Sequence, residues 1–332
     1  MYKVLLIGVT PPPIGGVSMH IQRFVEQFHA KKEFHLDALD LKKKKLYREK
    51  KKLTLFQIIK VLYKSDIIHL HISNNLKVLI ALLGKVFGKK VIYTHHNIRV
   101  KSLLWFKLLM LFVDRLILVN DNDIDKKVII HYDYELIPAF LPSNDETKLP
   151  KELEIQLDSY EFVVSTNCFE LTFINGKDLY GFDLCIEAFK NLVETQNIRN
   201  TVLILVDPSN SSREYVTQLL ENFVSSNGCK VLFIGEKLNF NRLVEKSDIV
   251  LRATRSDGDS LTVREALYLN VPIIASDVTI RPQGTICFKH EDINDLAKHI
   301  DFVLNKSDKL LIEDYENINY GDKILEVYQS LL

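Results

Sequence analysis

The stretch that can do chemistry is TRSDGDSLTVREALYLNVPIIASD, residues 254–277, where Asp257 and Asp259 flank Gly258. An Asp-x-Asp triplet is the spacing that a divalent metal uses to hold a diphosphate. The residues that follow argue for a rival chemistry. Gly258 permits a tight turn, Ser260 is a good helix N-cap, and the run from Leu261 is rich in helix formers. A helix that starts there aims the N–H groups of Asp259, Ser260 and Leu261 at an anion, so amide dipoles would do what a metal does elsewhere. Glu265, about one turn further in, reaches a polar group beside that anion. A carboxylate at Asp259 competes with this arrangement, because it sits where phosphate belongs unless a cation bridges them.

A diphosphate also needs cations. Arg252, Arg255 and Lys177 flank the turn, and Arg264, next to Glu265 on the helix, is a weaker choice. Arg252 closes an apolar run and so stands at a strand's carboxyl end, where ligands of open parallel sheets bind. In the first half, Gly15 and Gly16 close a strand-to-helix loop and let backbone approach a ligand, although they do not form a GxGxxG fingerprint. His69 and His71 share one face of a strand and have no third metal ligand; they read as polar residues closing that strand. His95 and His96 end the next strand and point to opposite sides, so one can face a ligand while the other packs.

The segments that carry these residues alternate between strand and helix. Strands are expected at residues 3–9, 67–72, 90–94, 115–119 and 134–137, with helices at 17–28, 53–63, 75–87 and 102–113 between them. PAFLPSND, from Pro138, interrupts the pattern as a linker, after which strands at 161–166, 201–206, 230–234, 249–252 and 272–276 alternate with further helices. This predicts an α/β protein of two Rossmann-like, doubly wound parallel-sheet domains facing each other across a cleft. The expected domains are 1–143 and 144–317, with a C-terminal helix at about 318–332 packing back on the first.

Composition is that of a soluble globular chain, with 47% hydrophobic and 26% charged residues. No apolar run is long enough for a membrane span, and the apolar start runs straight into TPPPIGG, unlike a signal peptide. Cys168, Cys185, Cys229 and Cys287 are scattered and read as reduced core thiols of a cytoplasmic protein. The zero net charge hides a split: residues 1–143 hold 24 basic against 12 acidic residues, a net +12, and the rest balances it at −12. A lysine-rich run at residues 42–52 precedes the greasy segment LTLFQIIKVLYK. It reads either as a solvated loop or as a patch for an anionic membrane surface.

With these residues in view, DGDSLTVREALYLNVPIIASD resembles the glycine turn and acidic pair of family 4 retaining glycosyltransferases, Asp257 and Glu265 keeping the family's eight-residue spacing. YGFDLCIEAF, VLFIGEKLNFNRLVEKSDIVL, GGVSMHI, DIIHLH and Thr94-His95-His96 fall in the family's order and extend the similarity over nearly the whole chain. The resemblance implies a GT-B fold and a metal-independent enzyme with no separate cofactor. A nucleoside-diphosphate sugar would be the donor, with Glu265 on the ribose, Asp257 on the transferred sugar and the amides at 259–261 on the diphosphate. Gly16 would approach from the first domain, and His96, or else His95, would serve the donor sugar. The implied partners are a glycan or polyprenyl-diphosphate-linked acceptor and an anionic membrane surface, with no nucleic acid; capsule or other surface polysaccharide synthesis, at the inner face of the cell membrane, would be the setting. One departure stands out. The family usually supplies an arginine and a lysine to the leaving diphosphate; the lysine's place before the glycine is Tyr180 here and the preceding STNCFELTFINGKD holds no arginine, so either other cations substitute or activity is weak or absent. A nucleotide-sugar epimerase and a degenerate, non-catalytic transferase are the alternative readings.

Overall fold

A computed structural model describes residues 1–12, 15–29, 31, 33–96, 100, 102–119, 132–195, 197–305 and 319–332. Asn97, which follows the His95-His96 pair, and residue 318 of the expected C-terminal helix lie outside them. The chain divides into two compact units, Met1–Asn144 with Ile318–Leu332, and Asp145–Asn317.

In the first unit, β1 (Tyr2–Ile7), β4 (Ile67–Leu70), β5 (Lys90–His95), β6 (Arg115–Leu118) and β7 (Tyr134–Leu136) run parallel with β2 (Phe34–Asp40). The sheet order is β3-β2-β1-β4-β5-β6-β7, β3 (Lys45–Leu46) being the antiparallel edge. Val4 to Ile7 are all buried, as a strand covered on both faces requires. One face packs under α1 (Gly16–Phe28) and the C-terminal helix α11 (Tyr320–Gln329) through Phe24, Phe28, Leu325 and Tyr328. The other packs under α2 (Leu55–Lys64), α3 (Leu76–Val86) and α4 (Leu103–Met110) through Leu62, Ala81 and Phe106. His69 explains why α11 belongs here: its two ring nitrogens bond Tyr328 Oη and Thr94 Oγ1, each at 2.7 Å.

The second unit has an all-parallel six-stranded sheet in the order β12-β11-β8-β13-β14-β15. Its strands are β8 (Phe162–Asn167), β11 (Thr201–Val206), β12 (Lys230–Ile234), β13 (Ile249–Arg252), β14 (Ile273–Ser276) and β15 (Ile286–Phe288), and β9 (Phe173–Ile174) pairs with β10 (Lys177–Asp178) as a small hairpin. In both units the strand order reverses beside the first strand, between β1 and β4 and between β8 and β13. The crevices beyond those carboxyl ends are where a doubly wound sheet holds its ligand.

Several elements were not expected from the sequence. β2 was missed because His35 and Asp37 interrupt its apolar run on one face. β3 lies inside the lysine-rich stretch, which is therefore not one loop: Lys43 Nζ bonds Thr10 Oγ1 and lies 3.4 Å from Asp40, while Lys42, Lys44, Lys50, Lys51 and Lys52 are exposed. Cys168, Cys185 and Cys229 are buried free thiols, but Cys287 is exposed, which corrects its reading as a core residue; it lies on the edge strand β15 with its side chain turned outward.

Candidate functional site

In the second unit the turn Asp257–Gly258–Asp259 follows β13 and leads into α9 (Leu261–Tyr268). Ser260 is the N-cap, its Oγ accepting from Val263 N. Thr262 Oγ1 donates to Asn167 Oδ1 at 3.0 Å and so pins the start of α9 to the end of β8, at the switch point. Glu265 is buried on this helix.

The two carboxylates of the triplet turn to different partners. Asp257 accepts from Arg252 Nε (3.1 Å) and Nη2 (3.2 Å), Arg281 Nη1 (2.8 Å), Thr254 Oγ1 (3.2 Å) and the Gly258 N–H (3.1 Å). Five donors fill the lone pairs of one carboxylate. Burial opposes its ionisation, but the two guanidiniums outweigh burial and hold Asp257 below the ordinary carboxylate range. Asp259 instead bonds Arg264 Nε at 2.6 Å, and there burial wins and pushes the pKa up. Among the described residues, no group of three metal-ligating side chains includes either of them.

Arg252 and Arg281 are the cations that meet Asp257. Tyr180 lies with its ring 5.3 Å from the Arg252 guanidinium carbon, a cation–π contact. Gly181 makes this approach possible. Its φ is +74°, and a Cβ there would collide with the Ala253 carbonyl just beyond β13. Arg281, with a side chain only 2% exposed, is anchored by its Nε on the Ser276 carbonyl. Sequence reading missed Arg281. The signal was its place just past β14, at a strand's carboxyl end like Arg252.

Arg255 and Lys177 are engaged elsewhere. Arg255 bonds Asp183 with Nη1 (2.9 Å) and Nη2 (2.8 Å) and Glu291 with Nε (2.8 Å), and the Lys177 ammonium meets the same Glu291 at 2.8 and 3.0 Å. Hydrogen bonds from Lys177 and then Arg255 draw Glu291 down to about 2. These pairs tie the β9–β10 hairpin and the start of α6 (Phe182–Glu194) to the loop after β15.

The first unit builds a different crevice. Gly15 is the N-cap of α1, and a Cβ added at Gly16 would meet nothing within 4 Å. His95 and His96 separate: His95 Nδ1 bonds Tyr93 Oη (2.9 Å) beside Phe106, whereas His96 Nε2 meets His71 Nδ1 at 2.8 Å. His20 of α1 joins the latter pair, its ring 5.7 Å from that of His96 and 5.4 Å from that of His71. Its Nδ1 donates to the Ala139 carbonyl at 2.8 Å, which leaves Nε2 as an acceptor. The Nε2 atoms of His20 and His71 are buried with no hydrogen-bond partner among the described residues. Burial lowers His20 to about 4 and holds His71 and His96 well below the usual histidine value.

Residues 176–321 match the family model described as glycosyl transferases group 1. No curated protein matches the chain in sequence. Among solved structures, the chain is similar to HepE from Anabaena in complex with UDP, with 13% identity over 99% of this chain and 100% of that one and a TM-score of 0.68. The same protein in complex with UDP-glucose gives 14% identity, 99% and 100% coverage and a TM-score of 0.65. Sucrose-phosphate synthase from Thermosynechococcus elongatus gives 15% identity over 100% of this chain and 99% of that one, with a TM-score of 0.66. The fold is therefore GT-B.

Proposed function

We propose that the protein is a retaining glycosyltransferase of family 4 type that moves a sugar from a nucleoside diphosphate to a growing, lipid-linked surface glycan. The observation that carries the reading is the convergence of Arg252, seated on Tyr180, and Arg281 on the turn that opens α9. As the diphosphate departs, the anomeric carbon becomes oxocarbenium-like. The N–H groups of residues 259–261 and the guanidinium of Arg252 neutralise the leaving group, the largest catalytic contribution expected at such a site. Arg252 thus does the work of the family's lysine, and no metal takes part. With five donors already on it, Asp257 acts by aiming Arg252 and Arg281 rather than by gripping the sugar directly. Glu265 binds the ribose hydroxyls, and His96, with Gly15 and Gly16, serves the donor sugar. The departing phosphate accepts the acceptor's proton on the same face, which retains the anomeric configuration.

The uncovered surface of the first unit supports an acceptor held at a membrane. No helix among the described residues is long and apolar enough to cross a bilayer. The outer faces of α2, α3 and α4 nevertheless expose Leu55, Phe56, Tyr63, Leu79, Val86 and Leu104, with Phe56 and Leu104 each 75% exposed. Exposed lysines from residues 42–52 precede α2. Apolar side chains with a basic fringe suit an anionic lipid surface, which attracts each nearby cation by about 1 kcal/mol. Incubation with a panel of nucleotide sugars, with anionic vesicles carrying polyprenyl-diphosphate acceptors, tests the reading. Slow donor hydrolysis and transfer are expected. A changed sugar would make the protein an epimerase, and binding without turnover a degenerate partner.

A further inference from the structure

We propose that His29, His35 and Asp37 form a binding site for a transition-metal ion of the zinc class in the first unit. His29 caps the end of α1, and His35 and Asp37, two apart on β2, share one face of that strand. The rings of His29 and His35 lie 4.4 Å apart, His35 Nε2 is 3.5 Å from Asp37 Oδ2, and one ligand atom from each of the three residues lies within 4.8 Å of the others. At 3.5 Å the His35–Asp37 pair is long for a hydrogen bond. It is close to the separation of about 3.3 Å between two ligands of a tetrahedral zinc with bonds of about 2.0–2.1 Å.

The supporting contacts point the same way. His29 Nδ1 donates to the Leu36 carbonyl at 2.7 Å, which fixes the tautomer and leaves Nε2 as the nitrogen with a free lone pair. A ligating histidine is held in this way in metalloproteins. Lys31, the nearest cation in sequence to His29, is drawn off to Asp322 at 3.2 Å. Two imidazoles and one carboxylate select zinc, cobalt or nickel over magnesium and calcium, which prefer oxygen ligands throughout. All three residues are part-exposed, so water completes the coordination. His35 lies one residue into β2, at the amino end of a parallel sheet, whereas His71 and His96 lie at the carboxyl ends. The ion therefore clamps the end of α1 to β2 and takes no part in transfer.

The test uses the full chain, stripped with chelator, desalted and titrated with Zn²⁺ alone, and then with Co²⁺ to read ligand-field absorption. Saturable one-to-one binding is expected, with Tm raised by roughly 5–10 °C when zinc reaches about a hundred times its Kd. Mg²⁺ should give no shift. His35→Gln should weaken zinc binding more than tenfold and abolish the tetrahedral cobalt bands, and Asp37→Asn should do the same without touching the His29–Leu36 bond. His299→Gln, on a different helix, should leave both readouts unchanged. Donor hydrolysis is not among the readouts, so this site and the transferase reading stand or fall separately. Zinc binding that is unsaturable, or as tight in His35→Gln and Asp37→Asn as in the unsubstituted chain, would overturn the proposal.

Discussion

At the carboxyl ends of β4 and β5 the first unit gathers His20, His71 and His96, and at the corresponding end of β13 the second gathers Arg252, Arg281 and Asp257. The scaffolds are alike, but polar groups are kept inside them by opposite means. In the first unit burial strips the histidines of charge, taking His20 to about 4 and His69 to about 3. In the second, buried charges survive because each meets a partner. A crevice of neutral, hydrogen-bonding rings suits a hydroxyl-bearing group, and one of oriented guanidiniums suits an anion.

Removing charge from the second unit should do the most damage. Arg252→Ala should lower transfer about a hundredfold, the usual cost of one transition-state donor; near-normal turnover in single-turnover assays would place the cation elsewhere. Glu265→Gln should raise the nucleotide Kd by roughly 10–100-fold, since a hydrogen bond to a charged acceptor contributes about 1.5–3 kcal/mol. Calorimetry showing unchanged affinity would remove Glu265 from the ribose. Tyr180→Ala should cost about fivefold in turnover, the worth of a cation–π contact of about 1 kcal/mol. Tyr180→Phe, which keeps the ring, should cost little, and equal losses in the two variants would show that the ring is not what seats Arg252.

The two units should also part company in acid. An unfolded histidine titrates near 6.5, whereas folded His20 and His95 titrate at about 4. Between those values the unfolded chain binds more protons, so the first unit loses stability as pH falls from 6.5 toward 4. The depressed Asp257 and Glu291 of the second unit keep their contribution until pH falls below the ordinary carboxylate range. The only tryptophan, Trp105, lies on α4 and so reports on the first unit alone. Its fluorescence should show a urea midpoint that falls through that window, and a flat midpoint would undo the contrast.

Much of this was legible in the sequence because buried parallel strands are written as unbroken apolar runs. The strands β1, β4, β5, β6, β8, β11, β12, β13 and β14, the Ser260 cap and the place of Arg252 at the end of β13 follow from such runs and from helix-start chemistry. What escaped were features set by distance in space. Arg281 lies 24 residues from Asp257 and meets it only because β14 returns beside β13. His20, on a helix, could not be grouped with His71 and His96 until α1 packed across the sheet. Tyr180 reads as a lost lysine in one dimension and as a seat for Arg252 in three.

In the proposed reaction, positive charge from arginine and amide dipoles, not from a metal, carries the leaving diphosphate. Donor hydrolysis by the intact chain, measured in excess chelator and again after added manganese, tests it most directly. The same rate is expected in both conditions, even where chelation lowers Tm by emptying the His29–His35–Asp37 site. Loss of hydrolysis in chelator with full recovery on manganese would contradict it and return Asp257 and Asp259 to the role of metal ligands.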